Sequence, residues 1–257
     1  MPVRGLGVVV TGAGHGIGRA IAARMAAEGA RVVVNDLDAE AARAVATEIG
    51  GTAVPGDAAS EDGVAHLVAT ARDQLGKVDV YFANAGIDIG QGLEAAEDDW
   101  ARALDVNVMA HVRAARQLVP AWLETGGGRF VVTASAAGLL TMLGSPAYSV
   151  TKHAAIGFAE WLSATYGHRG VVVQAICPQG VKTRMLDQAG PLQELLSHDT
   201  ALEPEQVADT VWHAMQDDRF LILPHPEVAD YYRLRAHDTD RWLAGMRRLQ
   251  AKLDGAS

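Results

Sequence analysis

Three pieces open the chain in a fixed order. Leu6–Val10 is a short β-branched run, Thr11-Gly-Ala-Gly-His-Gly-Ile-Gly18 follows at once, and Arg19–Glu28 is Ala-rich and stopped by Gly29. The order reads as a buried strand, a glycine-rich turn and a helix. Glycines there let the backbone approach a pyrophosphate. The helix N-terminus adds free N–H groups and the positive end of its dipole.

The same alternation continues along the chain. Strands are expected at Arg31–Asn35, Thr52–Pro55, Val78–Ala83, Arg129–Ala134, Val171–Cys177 and Phe220–Leu223. Helical patterns separate them at Asp38–Ile49, Glu61–Leu75, Trp100–Leu123, Tyr148 to about His168, and from Glu203 onward. Gln179–Leu202 reads as irregular chain lying over the strand ends. No repeat, linker or low-complexity stretch interrupts the pattern. The expectation is one α/β domain with a doubly wound parallel sheet of about seven strands. Its core covers about 5–224, and a helical extension covers about 225–257. At 257 residues the chain is long enough for one full core.

Candidate site residues fall at the ends of these strands, where open α/β sheets bind ligands. Asp36 closes the second strand at the spacing past Gly18 expected of an acid that bonds an adenosine ribose. Asp57, after the third, could bond an adenine amino group. Ser135 ends the fifth. If Pro146 opens the next helix, Tyr148 and Lys152 lie on one face a turn apart. An ammonium near a phenol favours the phenolate, so this reading lowers a pKa that is ordinarily ~10 and suits Tyr148 to move a proton. Asn107 sits inside a helical pattern, where Asn is a poor choice. It reads either as a satisfied core amide or as a hydrogen-bonding group facing the site.

Taken jointly, the Thr11–Gly18 turn, Asn84-Ala-Gly86, Asn107 and the Ser135…Tyr148…Lys152 set resemble the short-chain dehydrogenase/reductase family over residues 5–224. The resemblance implies a nicotinamide cofactor, with Asp36 pointing to NAD, and a homo-oligomer, tetramer or dimer. It implies Tyr148 as acid/base. Lys152 would hold the nicotinamide ribose and depress the phenol pKa, Ser135 would orient the substrate oxygen, and Asn107 would bind a water leading to Lys152. The implied cofactor set is Gly12, Gly14, His15, Gly16, Ile17 and Gly18; Asp36; Asp57 and Ala58; Asn84, Ala85 and Gly86; Tyr148 and Lys152; and Pro178, Val181 and Thr183. The family commonly has Pro-Gly after the sixth strand. Here it is Pro178-Gln-Gly180, which puts the loop geometry in question and turns Gln179 towards substrate.

The loops over the strand ends carry Leu139, Leu140, Met142, Leu143, Met185, Leu186 and Leu192, with few charges. An apolar pocket with convergent polar groups binds apolar ligands. The expected pocket set is Leu140, Met142, Gln179, Met185 and Leu186. The expected substrate is a hydrophobic secondary alcohol or ketone rather than a sugar or charged hydroxy acid. Two other readings follow from the same motifs. One is reduction of ketoacyl groups on a carrier protein, for which Arg113, Arg116, Arg129 and Arg169 would form a docking patch. The other is a non-catalytic dinucleotide sensor, which has no need of all four of Asn107, Ser135, Tyr148 and Lys152.

The remaining features narrow the setting. Lys+Arg 22 against Asp+Glu 31 gives −9, which argues against nucleic acid or an anionic membrane as partner. Cys177 is the one cysteine, so no intrachain disulfide forms and a reducing, cytoplasmic setting is expected. The N-terminal residues lack a signal-peptide layout. The uncharged run Phe130–Val150 is broken by Gly, Ser, Thr and Pro and is no membrane span. The nine histidines form no metal-ligand set. His15 could touch a cofactor phosphate, and His153 projects away from the Tyr148–Lys152 face. In the extension, Trp242, Met246, Leu249 and Leu253 recur at helical spacing. Burial against the body or a neighbouring subunit is the favoured reading of that stripe, and a lid over the substrate is the other.

Overall fold

A computed structural model describes residues 3–188 and 201–255. Seven strands form one sheet: β1 Gly7–Val10, β2 Arg31–Val34, β3 Thr52–Ala53, β4 Val80–Ala83, β5 Gly128–Thr133, β6 Val171–Ile176 and β7 Leu221–Ile222. Their order is β3-β2-β1-β4-β5-β6-β7, with every neighbouring pair parallel. The central strands are covered on both faces, so β1 and β4 read as unbroken apolar runs instead of alternating. The chain winds outward from β1 to β3, then returns to the other side of β1 for β4. That reversal opens a crevice at the carboxyl ends of β1 and β4, the ligand position in sheets of this kind.

Helices cover both faces. α1 Gly16–Ala27, α2 Ala39–Ile49 and α9 Pro204–Ala214 bury Ile21, Val45 and Val211 against one face. α3 Glu61–Leu75, α5 Ala110–Glu124 and α7 Pro146–Tyr166 bury Leu67, Leu118 and Leu162 against the other. Local chemistry sets several helix ends. Asp38 caps α2 by accepting from Glu40 N and Ala41 N, and Ser60 caps α3 by accepting from Gly63 N. Pro146 stands in the first turn of α7, where its missing N–H costs nothing. Under the second face Tyr81 stacks on Phe130, and Trp122 meets Phe130 edge-on while its indole N–H donates to Val78 O at 2.6 Å.

Two differences from the sequence expectation bear on the site. The long helix expected at Trp100–Leu123 is three segments: α4 Glu97–Leu104, a wide π turn at Asp105–Met109, then α5. The earlier start follows from Glu97, Asp98 and Asp99, acids that suit a helix N-terminus. The edge strands β3 and β7 are also shorter than expected, because each pairs on one side only. Short helices α6 Ala136–Leu139 and α8 Arg184–Asp187 follow β5 and β6. The chain closes with α10 Val228–His237 and α11 Thr239–Leu253. Among the described residues no helix is long and apolar enough to cross a membrane.

Candidate active site

The glycine-rich turn is tied to the end of β4 by a compact polar knot. Thr11 Oγ1 accepts from Asn84 N and Ala85 N, each at 3.0 Å, and donates to Phe82 O. The Asn84 amide donates to Thr11 O at 2.9 Å and to Gly12 O, and its oxygen accepts from Thr133 Oγ1 at 2.9 Å. Asn84 thereby joins the ends of β1, β4 and β5. A Cβ at Gly12, where φ is +60°, would stand 2.9 Å from Ala85 Cα, so backbone meets backbone. A Cβ at Gly18 would stand 2.2 Å from Gly12 O, so α1 packs directly on the turn.

Asp36 touches this turn. Its Oδ2 accepts from Gly14 N at 2.9 Å and its Oδ1 from Asp38 N at 3.0 Å. His15 Nε2 lies 3.5 Å from Asp38 Oδ2, so the ring leans on that carboxylate. Arg19, in the first turn of α1, is held by both oxygens of Glu48 at 2.9 and 3.0 Å. Asp57 folds back to accept from Ala59 N and Ser60 N.

Ser135, Tyr148 and Lys152 come together beyond the end of β5, all buried. Ser135 Oγ accepts from Ala137 N, capping α6, and donates to Pro178 O at 3.5 Å. Lys152 Nζ donates to Thr133 O at 2.8 Å and lies 5.5 Å from the centre of the Tyr148 ring. Burial pulls Lys152 down to about 8. The expected depression of the Tyr148 phenol is not found. Burial pushes it up to about 12; the hydrogen bond with Ser135 works the other way, and the Asp88 carboxylate adds to the rise. In the protein itself, then, desolvation sets the direction of the shift.

Asn107 sits in the π turn, fully buried. Its amide donates to Ile87 O at 2.8 Å and to Thr151 Oγ1 at 3.0 Å, and its oxygen accepts from Ile87 N at 2.9 Å. The core-amide reading thus holds: Asn107 clamps the segment after β4 to α7. It also faces the site, since a Cβ at Gly86 would lie 3.2 Å from both Asn107 Oδ1 and Lys152 Nζ. A wide turn that aims a side chain inward is a frequent mark of a functional position.

One cavity of about 1300 Å³ runs past most of these groups. Gly12, His15, Gly16, Ile17, Gly18, Asp36, Asp57, Ala58, Asn84, Ala85, Gly86, Pro178, Val181 and Thr183 line it, with Ser135, Tyr148 and Lys152. So do all five expected pocket residues, Leu140, Met142, Gln179, Met185 and Leu186. Gly14 touches Asp36 but is not on the wall, and Asn107 lies behind it. Leu192 falls outside the described residues. A Cβ at Gly16 would come within 3.0 Å of Thr183 Cγ2, which brings the loop after β6 against the turn after β1. A glycine floor, free helix N–H groups and a carboxylate at the end of β2 together fit a dinucleotide.

Other expectations resolve as follows. His153 is structural: its ring bonds Ser149 O at 2.8 Å and Arg235 Nη1 at 2.9 Å. Arg129 is buried and paired with Gln174 and Asp218, and Arg113 is tied to Asp105 and Ala59 O, so neither contributes to a surface docking patch. Among the described residues no cluster of ligating side chains could hold a metal. The Cys177 thiol is buried and pushed up to about 12, so it stays protonated.

The extension matches each of its two readings in part. Trp242 packs partly against the body, but Trp242, Met246 and Leu249 all line the cavity. Arg235 holds the arm in place by donating to Leu139 O and Leu140 O. Sequence reasoning also missed Thr133, His225, Asp88 and His111. His225 Nδ1 accepts from Gln179 N at 3.1 Å and fixes the displaced-glycine loop. Asp88 lines the cavity near Lys152, its carboxyl raised by burial. His111 is buried beside α7; burial and the Lys152 charge push it down to about 3, and neither ring nitrogen has a hydrogen-bond partner among the described residues. A histidine one turn past Asn107 in the same helix was the available signal for the last.

The chain resembles known proteins along most of its length. It is 38% identical over 243 residues to the 1-deoxy-11-beta-hydroxypentalenate dehydrogenase of Streptomyces exfoliatus, covering 91% of this chain and 87% of that one. It is 32% identical over 231 residues to the cyclohexanol dehydrogenase of Acinetobacter sp. (strain SE19), covering 86% and 92%. Among solved structures, a short chain dehydrogenase/reductase from Burkholderia phymatum in complex with NAD superposes with a TM-score of 0.86 at 30% identity, covering 93% of this chain and 96% of that one. The family model for short chain dehydrogenases matches residues 7–193, from β1 past the loop after β6. With those matches added to the sheet order and the strand-end site, the chain belongs to the short-chain dehydrogenase family of oxidoreductases.

Proposed function

We propose that this protein moves a hydride between NAD and a secondary alcohol or ketone with a hydrophobic body, and that Tyr148 moves the hydroxyl proton. The observation that carries the reading is the convergence of Ser135, Tyr148 and Lys152 on a cavity that continues to the glycine turn and Asp36. The relatives named for a hydroxypentalenate and for cyclohexanol support an alcohol substrate, and the NAD-bound neighbour supports the cofactor.

A bound nicotinamide would supply the hydride in reduction and receive it in oxidation. The chain's own groups do the rest. In reduction the buried phenol, protonated at neutral pH, gives its proton to the carbonyl oxygen as the hydride reaches the carbon. Oxidation runs the same step backwards and needs the phenolate, which the Lys152 charge favours against burial. Ser135 holds the substrate oxygen beside Tyr148. Gly12–Gly18 receive the diphosphate, and Asp36 accepts from the adenosine ribose. Pro178, Val181 and Thr183 face the nicotinamide side. Asn107 keeps Gly86 and α7 at the spacing Lys152 requires.

Loss of the phenol removes general acid/base help, typically worth 10²–10⁴-fold. Tyr148→Phe is therefore expected to lose that much kcat on cyclohexanol while still binding NAD. Retention of more than about a tenth of wild-type kcat, with chemistry rate-limiting, would refute the assignment. A wild type that binds NAD and turns over nothing would make it a sensor instead.

The chain is further proposed to be cytoplasmic and a homo-oligomer. Val150 and Trp161 stand 50% and 54% exposed on α7, an apolar area suited to a second copy. A monomeric mass in sedimentation at micromolar concentration would rule that out.

A further inference from the structure

The C-terminal helix adds three cations to a cavity that Asp36, Asp57, Asp88, Lys182, Arg184 and Glu205 also line. Arg241, Arg248 and Lys252 line the same cavity as Tyr148. At i, i+7 and i+11 they fall within about 20° of one line and span about 16 Å of helix. Beside that line runs the apolar stripe of Trp242, Met246 and Leu249. None of the three cations has an ion-pair partner among the described residues, whereas Arg19 is held by Glu48 and Lys182 by Glu203. Three cations on one helix face, without ion-pair partners among the described residues, line a cavity in a chain of net charge −9.

We propose that the substrate is an amphipathic anion: an apolar, ring-containing secondary alcohol or ketone bearing a carboxylate remote from the reacting carbon. The proposal rests on the Tyr148 reading and deepens it, and it departs from the uncharged substrate that the loop residues alone suggest. The apolar body lies against Leu140, Trp242 and Met246. The carboxylate meets Arg241, Arg248 and Lys252, whose long stems can lie along the apolar stripe while their heads reach the anion. The carboxylate must be remote, because the Asp88 carboxyl acts on both Tyr148 and Lys152 and would repel an anion at the reacting end. It takes no part in the hydride and proton transfers.

The test compares 4-hydroxycyclohexanecarboxylate and a hydroxydecalin-carboxylate with the matching carboxamides, using the NAD-loaded enzyme. The acids are expected to show KM values lower by roughly tenfold, with similar kcat, and the gap should shrink in 0.5 M salt because the cations are exposed. In Arg241→Gln/Arg248→Gln/Lys252→Gln the acid should fall to the level of the amide. Titration calorimetry with 4-oxocyclohexanecarboxylate and its carboxamide reads the same preference without turnover, so it stands or falls apart from the Tyr148 assignment. Equal binding of acid and amide by the wild type would overturn the proposal. So would a preference that survives in the triple variant, a triple variant that loses NAD affinity instead, or a coenzyme A thioester preferred to the free acid.

Discussion

Cofactor choice turns on Asp36. Its carboxylate lies at the cavity wall and already holds the glycine turn through Gly14 N. It can accept from both ribose hydroxyls of NAD and would repel a 2′-phosphate. The surroundings do not offset that repulsion: Asp38 adds a second negative charge, His15 leans on it, and Arg19 is claimed by Glu48. Repulsion plus lost hydrogen bonds gives the wild type a preference for NAD over NADP on the order of 10²-fold or more in kcat/KM. Asp36→Ser should narrow the gap mainly by weakening NAD, and steady-state kinetics with the two cofactors reads it. Equal efficiencies in the wild type would show that Asp36 does not serve the ribose. The place of Asp36 was legible in the sequence because the apolar run before it marks the end of a strand. Thr133 and His225 hid because they act through backbone groups, and no side-chain pattern records which carbonyl or N–H a residue will reach. The Tyr148 pKa went astray because Lys152 is visible in the sequence and the depth of burial is not.

At the scale of elements, α11 is the one whose position the sequence left open between two readings. Its apolar stripe was plain, but amphipathic spacing does not say which surface a helix covers. The structure lays that stripe on the cavity, and none of its side chains is fully buried. Ending the chain after Asp238 should therefore cost little stability and much substrate affinity. The expected outcome is a melting temperature within a few degrees of wild type, NAD affinity kept, and KM for cyclohexanol raised severalfold. Loss of cooperative unfolding would show instead that α11 belongs to the core. The π turn at Asp105–Met109 was equally hidden. An apolar stripe continues across one extra residue, and the sole hint was an Asn where helices dislike it.

For the whole molecule, a doubly wound parallel sheet with the candidate site at its strand ends followed from the alternation of strands and helices and the glycine turn, since parallel connections leave few arrangements open. A buried histidine was not foreseeable, and it gives the molecule a dependence on acid. His111 falls from 6.5 to about 3 on folding. Below pH 6.5 the unfolded chain takes up a proton there that the folded chain refuses. Its contribution to stability is thus complete above that pH and is lost as pH falls, by about 1.4 kcal/mol per unit until the folded value is reached. His111→Leu also removes a polar ring without partners. Urea unfolding at pH 7.5 and 5.5 should show the wild type losing about 1 kcal/mol more than the variant between the two. Parallel losses would place the acid response elsewhere. The arm that carries α11 has its own consequence. Arg235 fastens it to the carbonyls of Leu139 and Leu140, and every residue type presents the same carbonyl. The side chain at 140, which lines the cavity, can thus change without unlatching the arm, so the lineage can reshape one wall of the cavity while the other keeps its place.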